Sequence, residues 1–206
     1  PVPPSPGYDD GIFTLSFDPA TSEKAVIDLL NDAEESIDIA LYGFDNDNIC
    51  SALIKAANRP NRSGTVSVNS HGNRVRTIKV RCVTEYDSEH EGSWDRLIQE
   101  LRDNPYVDIS IHLRTQSGIM HNKYFIVDKK YLITGSTNLT GGMQKHFNNM
   151  ILIKSPDLCA DFQRDFEVLR YGTSATQKGN TYDAADAANQ YDLTAADNDY
   201  NAVWGE

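Results

Sequence analysis

HNKYFIVDKKYLITGSTNLT, residues 121–140, is the most informative part of this 206-residue sequence. Two short apolar runs, YFIV and YLIT, flank three polar residues, and this pattern predicts a β-hairpin. Side chains two positions apart on a strand share one face, so His121 and Lys123 should project together. The Gly-Ser-Thr-Asn sequence at 135–138 then predicts a turn with small polar groups.

A histidine and a lysine on one face suit the chemistry of a phosphoryl group. An imidazole nitrogen can attack phosphorus and form a covalent intermediate. An ammonium group stabilises the charge on the equatorial oxygens. Ser136 and Asn138 supply uncharged donors that can hold a phosphate oxygen. We therefore predict that His121 and Lys123 are catalytic and that Ser136 and Asn138 bind phosphate.

The spacing of these residues resembles the HxKx4D and GSxN motifs of the phospholipase D superfamily. A chance match to six fixed positions is on the order of one in a hundred thousand. The similarity extends to AEESIDIALYGF, MHNKYFIVD, NNMILI and DFQRDFEVLRYG, and it covers roughly residues 10–172. The matching motif residues are His121, Lys123, Asp128, Gly135, Ser136 and Asn138.

The resemblance implies a role for each motif residue. In the family one histidine forms a phosphohistidine, and a histidine from a second motif copy protonates the leaving group. The lysines hold the phosphate, the aspartate is mainly structural, and no metal is needed. For this chain the resemblance implies that His121 is the nucleophile and that Asp128 and Gly135 give structural support. No cofactor is expected, and three cysteines without CxxC spacing predict no zinc site.

Two features depart from the family pattern. Many single-motif nucleases of the family have a glutamate after GSxN that orients the histidine, whereas the aligned residue here is Asn148. An asparagine can accept a bond from an imidazole but adds no negative charge, so we assign Asn148 to motif support. No other histidine begins a His-x-Lys sequence, so a second motif copy must come from a homodimer or from a C-terminal half. The remaining histidines are His71, His90, His112 and His146.

The rest of the sequence alternates helical and strand patterns and then runs through several strands. It predicts an α/β fold, a mixed β-sheet covered by helices on both faces, with one phospholipase D-like unit bearing the motif. Thr21 or Ser22 should cap the first helix, and SWDRLIQELRD should form a later one. We divide the chain into an extended leader (1–10), a catalytic domain (11–172) and an acidic tail or the start of a second half (173–206).

The charge is distributed unevenly along the chain. The formal net charge of −11 argues against a general polyanion binder. Residues 59–84 nevertheless contain six lysines and arginines and no acid. Within them, 59–74 reads as a long loop or weak hairpin and 77–84 as a strand. Arg74 and Arg76 are possible nucleic-acid contacts there, and a solvated loop is the alternative. The tail after residue 178 has six acids and no lysine or arginine.

These observations predict a metal-independent phosphodiesterase, and the preferred assignment is an endonuclease. The alternatives are a phospholipase D or phosphatidyl transferase and a non-catalytic half of a two-motif protein. A lipid enzyme should show exposed apolar loops or an amphipathic basic helix, and neither is evident in the sequence. The chain starts at Pro1 without methionine. We therefore expect a processed protein or a segment of a longer one. The compartment is left open, with a secreted or periplasmic location favoured over a cytoplasmic one.

Overall fold

The computed structural model describes residues 13–69, 71–85, 104–114, 120–140, 143–171 and 180–181, with positions 93, 96, 100 and 101. Among them no helix is long and apolar enough to cross a membrane. The helices are α1 (Pro19–Asp32), α2 (Asp47–Ala57) and α3 (Pro156–Tyr171). The strands are β1 (Phe13–Ser16), β2 (Ser36–Leu41), β3 (Phe44–Asp45), β4 (Ser67–Val68), β5 (Arg74–Val75), β6 (Lys79–Glu85), β7 (Asp108–Arg114), β8 (Lys123–Val127), β9 (Tyr131–Gly135), β10 (Leu139–Thr140), β11 (Met150–Lys154) and β12 (Asn180–Thr181).

Eight strands form one mixed sheet in the order β1-β11-β9-β8-β2-β6-β7-β12. The three adjacent strands β2, β6 and β7 are parallel, and the other neighbours pair antiparallel. The predicted hairpin is β8–β9, with Tyr124 opposite Thr134. The small β4–β5 hairpin occupies the basic region, and β3 pairs with β10 outside the main sheet.

Helices cover both faces of the sheet, as predicted. Val26 and Leu30 of α1 and Leu53 of α2 pack in one core with alternate residues of the strands, such as Ile39. Phe166 of α3 packs in a second core on the other face. The period-two alternation of the strands assigns neighbouring residues to these two cores. The prediction of a mixed sheet between helical layers is confirmed.

The first helix begins earlier than predicted. Asp18 is its cap, because the Thr21 backbone N–H donates to Asp18 Oδ2 at 2.7 Å and Pro19 occupies the first turn. The prediction of Thr21 or Ser22 as the cap was wrong. Several capping residues follow one another here, and the fixed φ of proline favours the earlier start. The predicted helix at residues 93–103 lies largely outside the described residues.

Three charged side chains form a partly buried network on the face of the sheet that α3 covers. The Arg81 guanidinium donates to Asp38 Oδ1 at 2.6 Å and to Glu167 Oε1 at 2.7 Å. It also lies 5.0 Å from the centre of the Phe166 ring. These contacts join β2, β6 and α3, so Arg81 is structural and does not belong to a basic surface.

Two further arginines of the basic region have structural contacts. Arg59 donates to the Leu30 and Ala33 carbonyls, each at 2.8 Å, and so satisfies the end of α1. Arg62 pairs with Glu34. Beyond α3, β12 pairs with β7, so the sheet continues past residue 172, the predicted end of the domain. The leader and the remaining tail lie outside the described residues.

Candidate active site

The motif histidine lies at the carboxyl edge of the parallel strands. Lys123, the first residue of β8, pairs with Leu41, the last residue of β2. His121 and Asn122 directly precede β8, and the His121 side chain is exposed. Ligand sites of α/β sheets commonly occupy this edge, where several chain segments converge.

The His121 ring rests against Tyr42. The two ring centres are 4.9 Å apart and the planes are tilted by 57°. The Tyr42 backbone N–H donates to the Asn122 carbonyl at 3.1 Å, which fixes the segment carrying the histidine. Tyr42 was not predicted as a site residue. Its position directly after a buried parallel strand was the signal that could have identified it.

Lys123, two residues after the histidine, is only 9% exposed. Its Nζ donates to the His121 carbonyl at 2.7 Å and is 5.7 Å from the centre of the Tyr42 ring. Burial lowers the pKa of Lys123. No carboxylate of the described residues pairs with this ammonium. Its charge is therefore available to an anionic substrate.

The Gly-Ser-x-Asn turn packs closely against the segment before β11. A Cβ atom on Gly135 would lie 2.2 Å from the Asn149 carbonyl oxygen, so this position requires glycine. The Ser136 backbone N–H donates to the same oxygen at 3.1 Å. Lys123, Gly135 and Thr137 line one cavity of about 10 Å³. The two parts of the motif therefore adjoin.

Asn148 holds the serine of this turn. Ser136 Oγ donates to Asn148 Oδ1 at 3.0 Å and accepts from the Asn149 N–H at 3.1 Å. Asn148 thus fixes the hydroxyl, whereas the glutamate expected at this position would orient the histidine. Asn138 Oδ1 is buried and has no hydrogen-bond partner among the described residues. This orphan atom is an acceptor, so it suits a substrate hydroxyl or an N–H more than a phosphate oxygen.

Asp128 lies at the other end of β8 from the histidine. Its Oδ1 accepts from the Glu35 and Ser36 backbone N–H groups at 2.7 and 3.0 Å, and its Oδ2 accepts from Glu34 at 2.9 Å. The five residues of β8 separate it from the edge that carries His121, about 17 Å at the usual rise. The structure therefore places Asp128 in a fold-supporting contact with the start of β2.

Arg74 and Arg76 are exposed and precede β6. Because β6 runs parallel to β2, its beginning lies at the edge opposite His121. A single phosphate at the histidine is out of their reach. Only a polyanion that extends around the molecule would contact both places, so their role in nucleic-acid binding stays a prediction.

Two large apolar side chains are exposed beside the site. The Phe147 side chain is fully exposed, and Phe17 is 67% exposed. Phe147 lies between His146 and Asn148, and these two neighbours line a narrow cleft together with Phe17. The expectation of no exposed apolar loop is therefore corrected. The sequence HFNN reads as polar, and isolated apolar residues leave no periodic signal.

A carboxylate of α3 supports the histidine segment from the opposite face. Asp165 Oδ2 accepts from the Tyr124 hydroxyl at 2.9 Å and from Asn122 Nδ2 at 3.4 Å. Tyr124 is 2% exposed, and burial together with the Asp165 charge raises the pKa of its phenol. Asp165 thus holds residues on both sides of Lys123. No sequence motif identified this contact.

Comparisons with known proteins identify the family of this chain. The family described as "Cardiolipin synthase, PLD-like domain" matches residues 26–170. "Phospholipase D" of Rickettsia typhi is 29% identical over 149 residues, covering 72% of this chain and 62% of that protein. "Mitochondrial cardiolipin hydrolase" of Chlamydomonas reinhardtii is 25% identical over 150 residues, covering 72% and 57%. The chain thus spans about three-fifths of the length of these relatives.

Among solved structures, the phospholipase D family member Nuc from Salmonella typhimurium has a similar fold. The TM-score is 0.65, and the alignment covers 84% of this chain and 99% of that chain. The sequences are 20% identical, so the likeness concerns the fold. It agrees with the mixed sheet and its helical layers.

Proposed function

The chain belongs to the phospholipase D superfamily, and from this premise we propose that it is a phosphodiester hydrolase with a two-step phosphohistidine mechanism centred on His121. The observation that carries the proposal is the exposed imidazole of His121 and the buried ammonium of Lys123 at the same Tyr42 ring, with the ammonium bonded to the His121 backbone carbonyl. The first can attack phosphorus, and the second can stabilise the charge that develops on its oxygens.

The reaction proceeds by two displacements at phosphorus. An imidazole nitrogen of His121 attacks, the P–O bond to the leaving group breaks, and the departing oxygen takes a proton from a second imidazole. Water then attacks the phosphohistidine and returns its proton to that second imidazole while the P–N bond breaks. The Lys123 ammonium stabilises the equatorial oxygens in both steps.

The second imidazole comes from outside this chain. His121 is the only histidine in the sequence that begins a His-x-Lys motif. A twofold dimer would bring two copies of His121 to one pocket. The alternative donor is a motif in a C-terminal half, and an isolated chain would then carry half a site.

We propose phospholipid as the substrate class. The exposed rings of Phe147 and Phe17 lie beside the site, where they can enter the lipid interface while a headgroup phosphate reaches His121. The relatives named phospholipase D and cardiolipin hydrolase support this choice. Nucleic acid, the first prediction from sequence, takes second place because the basic residues that suggested it lie at the far edge.

Nucleic acid remains the second candidate because Arg74 and Arg76 are exposed and have no ion pair among the described residues. Replacing both arginines by alanine would then reduce the salt slope of oligonucleotide binding by roughly one unit for each phosphate that an arginine had neutralised. An unchanged slope would assign this region to a solvated hairpin.

A parallel assay tests the substrate class. Vesicles of mixed zwitterionic and anionic phospholipid are compared with single- and double-stranded oligonucleotides. We expect headgroup release that disappears in His121→Ala and falls roughly tenfold in Phe147→Ser, since the phenyl ring can no longer be buried in the lipid. Tyr106→Ser removes an exposed aromatic ring elsewhere and should have no effect. Efficient oligonucleotide cleavage without hydrolysis of vesicle phospholipid would contradict the phospholipid proposal and make nucleic acid the substrate class.

The mechanism also predicts that activity survives EDTA. The described residues contain no group of three or more side chains able to hold a metal ion, and Lys123 supplies the positive charge. The measurement is the initial rate with and without chelator. Loss of activity that a divalent ion restores would contradict the mechanism.

A further inference from the structure

A second exposed surface lies at the edge of the sheet opposite His121. Val68 is 67% exposed and Tyr106 is 77% exposed. Arg74 pairs directly with Val68 across the β4–β5 hairpin, and exposed Arg76 follows. We call Val68, Arg74, Arg76 and Tyr106 the hairpin face.

One buried side chain holds the hairpin face together. Asn69 is 3% exposed, and its Nδ2 donates to the Pro105 and Val107 carbonyls at 3.0 and 2.9 Å. These carbonyls flank Tyr106, so the tyrosine and the hairpin adjoin. Such a fixed combination of apolar groups and cations fits a partner with both acidic and aromatic groups.

The path of the chain leads towards this face. In β12, Asn180 pairs with Leu113 and Thr181 with His112, so the chain runs back along the outer edge of β7. Tyr106 lies just before β7, six positions from His112. The distance from His112 to Tyr106 is about 20 Å in extended geometry. The 25 residues of 182–206 can span roughly 80 Å, which is more than enough to reach Tyr106.

The charge of this segment complements the hairpin face. Residues 182–206 contain six acids, no lysine or arginine, and several aromatic residues. Arg74 and Arg76 have no ion pair within the described part of the chain. Electrostatic attraction between the segment 182–206 and the hairpin face would be strong at low salt and screened at high salt.

We propose that the acidic segment 182–206 docks on the hairpin face of its own chain. The contact covers Val68 and Tyr106, neutralises Arg74 and Arg76, and competes with external polyanions for this surface. It is independent of the catalytic proposal, because the hairpin face and His121 lie at opposite edges of the sheet.

The test uses the full chain and two variants of equal charge. One variant carries Asp192→Asn, Asp197→Asn and Asp199→Asn, and the control carries Asp32→Asn, Asp47→Asn and Asp157→Asn at exposed positions outside the segment. Hydrogen exchange is measured for backbone amides of residues 67–76 at low salt, and heparin serves as the polyanion probe. Each variant raises the net charge by three, so a general charge effect is common to both.

We expect the tail variant to exchange faster at residues 67–76 and to bind heparin on the order of tenfold more tightly than the control, since its segment can no longer pair with the two arginines. High salt should remove the protection in the wild type. Equal exchange in the wild type and both variants would overturn the proposal. Protection that rises with protein concentration would also overturn it, because the segment would then come from a second copy.

Discussion

At the scale of single residues, the site depends on a lysine that burial makes less basic. Lys123 is 9% exposed, and its ammonium donates to a backbone carbonyl without a described carboxylate partner. Desolvation disfavours the charged form. A substrate phosphate would place a negative charge next to Lys123, so substrate binding should favour the protonated lysine.

The pH dependence of kcat/KM should reveal this lysine. Burial lowers the pKa of Lys123. The proposed mechanism needs its charged form, so activity should be lost as pH rises through the lowered pKa. We expect kcat/KM to decline on the alkaline side with a midpoint below about pH 10.4, the ordinary pKa of lysine. In Lys123→Arg the guanidinium stays charged, so that decline should disappear although the rate drops by roughly a hundredfold. An unchanged decline in that variant would assign it to another group.

At the scale of elements, the turn between β8 and β9 carries backbone strain. Asp128 and Lys129 both have φ of 54°, and the Lys130 N–H donates to the Val127 carbonyl at 3.0 Å. Two successive left-handed residues identify a type I′ turn, which favours Asn-Gly or Asp-Gly. The Asp128 carboxylate accepts from three backbone N–H groups at the start of β2, whereas Lys129 makes no comparable contact with the described residues.

Lys129→Gly should therefore stabilise the fold. Relief of left-handed strain outweighs the added entropy of the unfolded chain, by about 0.5–1 kcal/mol in the free energy of unfolding. Asp128→Gly also relieves strain but removes the acceptor of three backbone N–H groups, so it should destabilise by about 2 kcal/mol or more. Denaturant unfolding measures both. Equal effects of the two variants would contradict this assignment.

The contact of α3 with β8 predicts a positioning role for Asp165. Asp165→Leu should lower kcat on the order of tenfold with little change in KM, because the histidine segment loses its support. Asp165→Asn keeps an acceptor oxygen and should restore most of the rate. Asp161→Leu, one turn earlier on α3, is the control. A variant Asp165→Asn as slow as Asp165→Leu would mean that the charge, not the position, matters.

These elements also show what the sequence could reveal. Alternating and helical spacing predicted the strands, the helical layers and the hairpin. The strand β8 begins at Lys123, so His121 precedes it instead of sharing a strand face with Lys123 as predicted. Tyr42, Asp165 and Phe147 were not predicted. The first two reach the site through tertiary contacts between distant segments, and the third matters only because its ring is exposed beside the site. Periodicity is a local signal and contains neither kind of information.

At the scale of the whole molecule, one motif per chain predicts a specific response to mixing. If two chains share one pocket, a pair of wild type and His121→Ala contains a single imidazole and loses on the order of 10² to 10⁴ in rate. Residual activity should follow the square of the wild-type fraction once subunits exchange. A linear decline, in subunits shown to exchange, would mean that each chain acts alone.

The separation of His121 and Asp128 has a consequence for the motif itself. The interval between Lys123 and Asp128 equals the length of β8, which crosses the sheet from the catalytic edge to the start of β2. The number of residues between Lys123 and Asp128 therefore matches the width of the sheet along β8. One inserted residue would turn the aspartate to the wrong face. Relatives that replace the aspartate but keep another acceptor for these N–H groups should retain an intact phosphate site.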